Sequence, residues 1–365
     1  MKTLLLSFLL ALLVINIQAE SIISIPDENF YRALIRLGVD KNKDFVIQQS
    51  EAENVTRLDV PGLSIKSFEG ISYFSNLEYF NCSYNYLYGS ALRFSTLNKK
   101  LRFLYCQETA LLRLDVSMLS GLELLNCGIT YIDSLDLSKN LLLKSLRCDN
   151  SSIRSLNLSN NLELEYLDAT SCSALKYLNV SKEVKLKSLI IVNSDVSSFE
   201  LPNHPALTYL DISYNPIVRI SLEHTPNLDT LLCVNSKLNS LDVIKNTQLS
   251  YLDCNMNNLK RLMLANNLEL AFLNCQENLL YNVCISPIVD TESWKKDDIA
   301  TFDKYCKIDG VSTHYTSRSA ADSPKLIKST TVLGQIVKPE DFMDGNLYIY
   351  YYEDGSILKK VESPK

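Results

Sequence analysis

The sequence predicts an α/β-type repeat, a solenoid of short coils stacked along one axis, and three observations predict it. Leucines keep one register from Leu77 to Leu280. The unit starts Leu101, Leu122, Leu143, Leu164, Leu186, Leu207, Leu228, Leu249 and Leu270 are 21 residues apart, with one step of 22. Seven of the ten cysteines fall at a single position of that unit. A fixed period near 20 means one small supersecondary unit repeated. None of these units buries its apolar side alone, and each neighbour covers the last.

The first segment, 1–19, reads as an export signal. Lys2 precedes the apolar run Leu4–Ile15, and Ile17-Gln18-Ala19 precedes Glu20. A positive start, an apolar core and a small terminal residue mark a signal peptide. The run falls short of the roughly 20 residues that span a bilayer, and no later stretch is long enough to be a transmembrane segment. The mature chain is expected to start near Glu20 and to be secreted, extracellular or cell-surface attached. A net charge of −6 with mixed signs argues against nucleic acid, which needs a basic footprint.

Residues 20–54 read as a helical N-terminal cap. Tyr31–Leu37 has an amphipathic pattern, with Asp27 placed to cap it. Asp40, Asn42, Asp44, the Val46 carbonyl and Glu51 then stand at calcium-ligand spacings 1, 3, 5, 7 and 12 of an EF-hand-like loop. Position six of such a loop wants glycine and here holds Phe45. A structural calcium ion and a metal-free cap that keeps only the loop shape are the two readings; no other cofactor is expected.

The array itself, 55–283, repeats L-x-x-L-x-C-x-x-N-x-L followed by a weaker half-unit. An extended segment alternates faces, so positions one, four and six point inward. Position six holds Cys82, Cys106, Cys127, Cys148, Cys233, Cys254 and Cys275, with Ala169, Ile191 and Ile212 in the other coils. A slot that takes Cys, Ala or Ile is a small apolar slot, where free cysteine acts as a hydrophobe; disulfide pairing, a metal or a redox role is the competing reading. Position nine is small and polar (Asn85, Thr109, Asn215, Asn257, Asn278 among others) and suits bonding to the buried backbone. Cys172 stands outside the sixth-position column and is expected as a thiol in a turn.

Outward positions three and five form the candidate binding face. Position three supplies Tyr79, Phe103, Tyr166, Tyr209, Tyr251 and Phe272, and position five supplies Tyr105, Asp168, Asp211 and Asp253. Aromatic anchors beside carboxylates suit a protein partner and equally suit stacking on the sugar rings of a glycan. Cross-strand packing of the same aromatics without any ligand is the other reading. The carboxylates of this column are expected to be exposed. Position two alternates in sign, through Glu78, Arg102, Glu123, Lys144, Glu165 and Lys187, which aligns opposite charges on stacked strands.

The repeat resembles the leucine-rich-repeat proteins exported by bacteria. It is internalin-like in plan and most similar to the cysteine-containing 21-residue type of the Bacteroidetes. That resemblance covers about Ile25 to Cys306 and implies a leucine-rich-repeat β-solenoid, or horseshoe. It also implies a C-terminal cap over 284–306 closed by a Cys284–Cys306 disulfide. Residues 307–365 read as a linker, Gly310–Ser323, and a small β-rich tail. Its strands are expected at Thr331–Val337, Leu347–Tyr352 and Ile357–Val361, with a turn at Asp354-Gly355. The tail also loosely resembles the sorting tails of the type IX secretion route.

No catalytic constellation is present. His204 and His224 read as surface turn residues beside Pro205 and Pro226, and no nucleophile–base set or phosphate loop occurs. The expected function is therefore not enzymatic: a secreted or surface protein that binds a protein or glycan, in adhesion or host interaction. The alternative is a structural spacer of the cell envelope with no dedicated ligand.

Overall fold

The computed structural model describes residues 20–89, 92–286 and 289–304, with the backbone of four further strands between 326 and 361. The expected export signal, the Gly310–Ser323 linker, Cys306 and the Asp354-Gly355 turn lie outside the described residues.

The chain opens with helix α1, Glu28–Arg36. It begins before the predicted Tyr31 because Asp27 is its N-cap and accepts the Phe30 N–H at 2.9 Å. The other Asp27 oxygen accepts the N–H groups of Lys66 and Ser67 at 2.8 and 3.1 Å. One carboxylate thus fixes the helix start and seats it on the first coil. Phe30 is buried and meets Phe68 edge-on, with ring centroids 4.9 Å apart. A second short helix, α2, spans Gln49–Glu53.

Eleven three-residue strands, from Arg57–Asp59 to Phe272–Asn274, then build one parallel sheet. The coil of Arg57–Asp59 precedes the leucine register that starts at Leu77. Pairing sets like position on like position: Leu104 lies beside Leu125, Leu125 beside Leu146, and Leu146 beside Leu167. Positions one, four and six are buried throughout. Where the chain leaves each strand, position eight is left-handed. Tyr84, Glu108, Ile129, Asn150, Ser171, Asn193, Tyr214, Asn235, Met256 and Glu277 all have φ between 50 and 60°. This bend aims the N–H at the next coil: Tyr84 N–H donates to the Gln107 carbonyl at 3.0 Å, and Tyr214 N–H to Val234 at 2.7 Å.

The position-six cysteines are buried free thiols, as is Cys172. Burial pushes the position-six thiols far up from their ordinary pKa, Cys275 to about 12, and at Cys148 the contact with Cys172 adds the larger push, so they stay protonated and inert. Cys172 is not a turn residue outside the pattern. It takes position nine of its coil, where its Sγ lies 3.1 Å from the Cys148 carbonyl and 3.3 Å from Ser151 Oγ. Elsewhere this column bonds backbone as expected. Asn257 Nδ2 donates to the carbonyls of Cys233, Cys254 and Asn255, and its Oδ1 accepts from Ser236 and Leu238.

A second buried ladder runs along the opposite side of the coils through Asn98, Asn140, Asn161, Glu183, His204, Thr225, Asn246 and Asn267. Its amides donate to carbonyls of the preceding coil, as Asn161 does to Leu137 and Asn140. His204 belongs to this ladder and is 0% exposed, not a surface residue. Its Nε2 lies 2.7 Å from the Val180 carbonyl, and burial lowers its pKa.

The array ends on Trp294, which takes the position-four slot 21 residues after Leu273 and packs edge-on against Phe302. Asp297 accepts the N–H groups of Glu277 and Asn278 at 2.8 and 3.1 Å and closes the backbone ladder. Cys284 lies in strand Asn282–Ile285 and is disulfide-bonded. The tail forms a four-stranded antiparallel sheet of Leu326–Thr331, Ile336–Val337, Leu347–Tyr352 and Ile357–Val361. The single strand predicted at Thr331–Val337 is two. The first reaches back through Ile327 and Thr330, whose branched side chains suit a pleat.

Candidate binding face

The outward positions of the eleven-stranded sheet stand on one continuous face, because each coil repeats the last in register. Position four points inward and is buried in every strand. The aromatics on either side of it are half-exposed: Tyr79, Phe103, Tyr105, Tyr166, Tyr209, Tyr251 and Phe272. The structure therefore brings all the predicted aromatic and acidic face residues together. It also adds Arg57, from the coil before the leucine register, and sets Arg147 of position five beside the acidic residues.

At the N-terminal end, the Arg57 guanidinium lies 3.5 Å from the centroid of the Tyr79 ring and pairs with Asp59 at 2.8 Å. Tyr79 in turn meets Phe103 and Tyr105 at 6.5 and 5.4 Å. In the middle, Arg147 pairs with Asp168 Oδ2 of the neighbouring strand at 3.3 Å, and the Tyr166 hydroxyl donates to the same oxygen at 3.4 Å. At the C-terminal end, Tyr251 and Phe272 stack at 4.3 Å with a 12° tilt.

Between these ends the face alternates. Tyr166-Leu167-Asp168, Tyr209-Leu210-Asp211 and Tyr251-Leu252-Asp253 occupy every second strand. Ser188-Leu189-Ile190 and Thr230-Leu231-Leu232 lie between them. Tyr209 therefore pairs with Ser188 and Thr230, and Asp211 with Ile190 and Leu232. The carboxylates are less exposed than the sequence suggests. Asp211 is only 9% exposed, because the flanking Ile190 and Leu232 shield it. Its Oδ1 accepts the Ser213 N–H at 3.0 Å. Burial, with the charges of Asp253 and Asp168, pushes its pKa up despite that hydrogen bond. Beside the face, the position-two charges pair as expected: Glu123 binds Arg102 at 2.6 Å and Lys144 at 2.9 Å, and Glu165 binds Lys187 at 2.7 Å.

The cap loop is separate from this face. Both Asp40 oxygens accept backbone N–H groups, from Lys43 at 2.7 Å and Phe45 at 3.0 Å. Both Glu51 oxygens do the same, from Lys41 at 2.6 Å and Gln48 at 3.1 Å. Asp44 Oδ2 accepts the amides of Asn42 and Gln48. The loop keeps the bend that glycine serves in an ion-binding loop, with Phe45 at φ 62°. Its oxygens accept hydrogen bonds from the chain's own donors. Among the described residues no group of three His, Cys, Asp or Glu side chains could hold a metal. No described helix is long and apolar enough to cross a membrane.

No protein-family model matches the chain, and no curated protein does. Many solved structures resemble it, two internalins of Listeria monocytogenes among them. The functional domain of InlJ from Listeria monocytogenes, which includes a cysteine ladder, aligns over 92% of this chain and 96% of its own length. Its identity is 18% and the TM-score 0.53. The internalin InlF from Listeria monocytogenes aligns over 78% of this chain and 95% of its own, with 22% identity and a TM-score of 0.56. At these identities the likeness concerns the fold, and that fold is a leucine-rich-repeat solenoid of internalin-like form.

Proposed function

We propose that the chain is a non-catalytic, exported or surface-attached binding protein whose sheet face contacts a protein partner. One observation carries this reading. Aromatic side chains that could have been packed away stand half-exposed in a row across the strands, beside carboxylates. Aromatic anchors of this kind supply most of the energy at protein interfaces. A partner captured from the organism's surroundings by the intact chain should be lost when Tyr209 and Tyr251 are both replaced by alanine, with the circular dichroism unchanged. Retained capture would remove this face from consideration.

The competing reading is an envelope spacer in which the aromatics only stabilise the sheet. The Tyr251–Phe272 stack supports it. It predicts the opposite result: the same double variant would lose stability and no binding. In the cap, we read the Asp40–Glu51 loop as a clasp that holds its shape without an ion.

A further inference from the structure

The face carries four aromatic–carboxylate units, and two of them are already engaged by an arginine of the same chain. Arg57 lies on Tyr79 and pairs with Asp59. Arg147 pairs with Asp168 beside Tyr166. Neither Tyr251 with Asp253, whose oxygens accept the Asn255 N–H and the Asn274 amide, nor the central unit, Tyr209 with Asp211, has such an occupant. The strands flanking the central unit present Ser188 and Ile190 on one side and Thr230 and Leu232 on the other. Among the described residues no cation pairs with Asp211. Its Oδ1 accepts the Ser213 N–H at 3.0 Å, and the Ser213 side chain also hydrogen-bonds the carboxylate. A carboxylate nine-tenths buried lacks the counter-charge that Asp59 and Asp168 have.

We propose that Tyr209, Asp211 and Tyr251 form a seat for the guanidinium of an arginine presented by a protein partner; this rests on the sheet face being the binding surface. Tyr209 and Tyr251 stand two strands apart, about 9.6 Å at the backbone, with Thr230 and Leu232 as the floor between them. A flat group enters such a slot and stacks on a ring. Guanidinium is flat, weakly hydrated and able to meet a carboxylate through two N–H groups, which an ammonium does not match. Stacking on a tyrosine face adds a cation–π contribution, as the chain's own Arg57 does at Tyr79. The surroundings favour a cation further, since Asp253 and Asp168 both act on the Asp211 carboxyl.

The test uses the full chain and three capped probes: Gly-Arg-Gly, its citrulline counterpart (the same shape without charge) and a neutral oligosaccharide. The arginine peptide should bind saturably, at least fivefold more tightly than the citrulline peptide. Asp211→Asn should remove that preference, and raised salt should reduce it. Asp211→Asn should also raise the melting temperature at neutral pH, since an amide replaces a shielded charge and keeps the acceptor for Ser213. A fold-damaging change would lower it. Equal affinity for the arginine and citrulline peptides, an undiminished preference in Asp211→Asn, or saturable binding of the oligosaccharide alone would overturn the proposal. If the Tyr209 and Tyr251 alanine variant loses its captured partner while arginine and citrulline bind alike, the face remains the binding surface and only the arginine seat falls.

Discussion

Ile129 sits at φ 52° on the rim of its coil, with 47% of its surface exposed. A β-branched side chain in the left-handed region is strained by about 1 to 2 kcal/mol, and here little burial offsets the strain. Replacing Ile129 by Asn, which tolerates this region, should therefore stabilise the protein by about 1 kcal/mol, read as a higher denaturant midpoint with an unchanged slope. Asn150, with φ 51°, already has the side chain that suits the bend. The left-handed column was not legible in the sequence because its residue types differ from coil to coil. Tyr, Glu, Ile, Asn, Ser and Met all occupy it, since the geometry is imposed by the next coil's carbonyls and not by local preference. The thiol column was legible for the opposite reason. A buried slot of fixed size restricts what fills it, and Cys, Ala and Ile share that restriction. The burial of Asp211 was missed because periodicity tells which way a side chain points, not how far its neighbours in adjacent coils shield it.

At the scale of the element, the second polar ladder offers a sharper test. Its slots face carbonyls and call for a donor: Asn140, Asn161 and Asn267 donate through Nδ2 while their Oδ1 atoms have no partner. Glu183 occupies such a slot fully buried. One of its oxygens accepts the Lys182 N–H at 2.9 Å and the other has no partner. Burial raises its pKa against the pull of the Lys182 and Glu183 backbone N–H groups. A carboxyl whose folded pKa lies above its unfolded value contributes stability at low pH. That contribution is full below about 4.3 and is lost as pH rises through the folded value. Glu183→Asn should supply the missing donor and raise stability at pH 7 to 8, with the gap narrowing on acidification. Melting curves from pH 4 to 8 check both the sign and the convergence. His204 was within reach of sequence reading. The half-units repeat an apolar residue three positions before the Asn slot, as in Leu137 to Asn140, and Leu201 to His204 has the same spacing. The prolines beside it suggested a turn and hid the column.

For the whole molecule, the period alone carried the architecture: eleven in-register strands follow from leucines that none of the units could bury singly. The ends were less legible, because a cap is by nature where the pattern stops. Trp294 fills a leucine slot with a larger residue, and Asp297 substitutes a side chain for the missing next coil. Trp294 keeps the 21-residue spacing, but Thr291 and Lys296 stand where positions one and six would be apolar, so the motif around it is gone. The cap at the other end makes a prediction for the entire body. If the Asp40–Glu51 loop is held by its own hydrogen bonds, the melting temperature should be the same in calcium and in chelator. A rise with calcium that Asp40→Ala abolishes would show that an ion displaces those bonds.

The column of unpaired sulfurs bears on how the body takes load. Eight cysteines of the described coils are free, so successive coils are joined along that spine by noncovalent contact and by the single chain running through them. Drawn out between its ends, such a body should lengthen like a spring and then shed its windings one after another. Each release would return about twenty residues of slack and could rewind when the pull is relaxed.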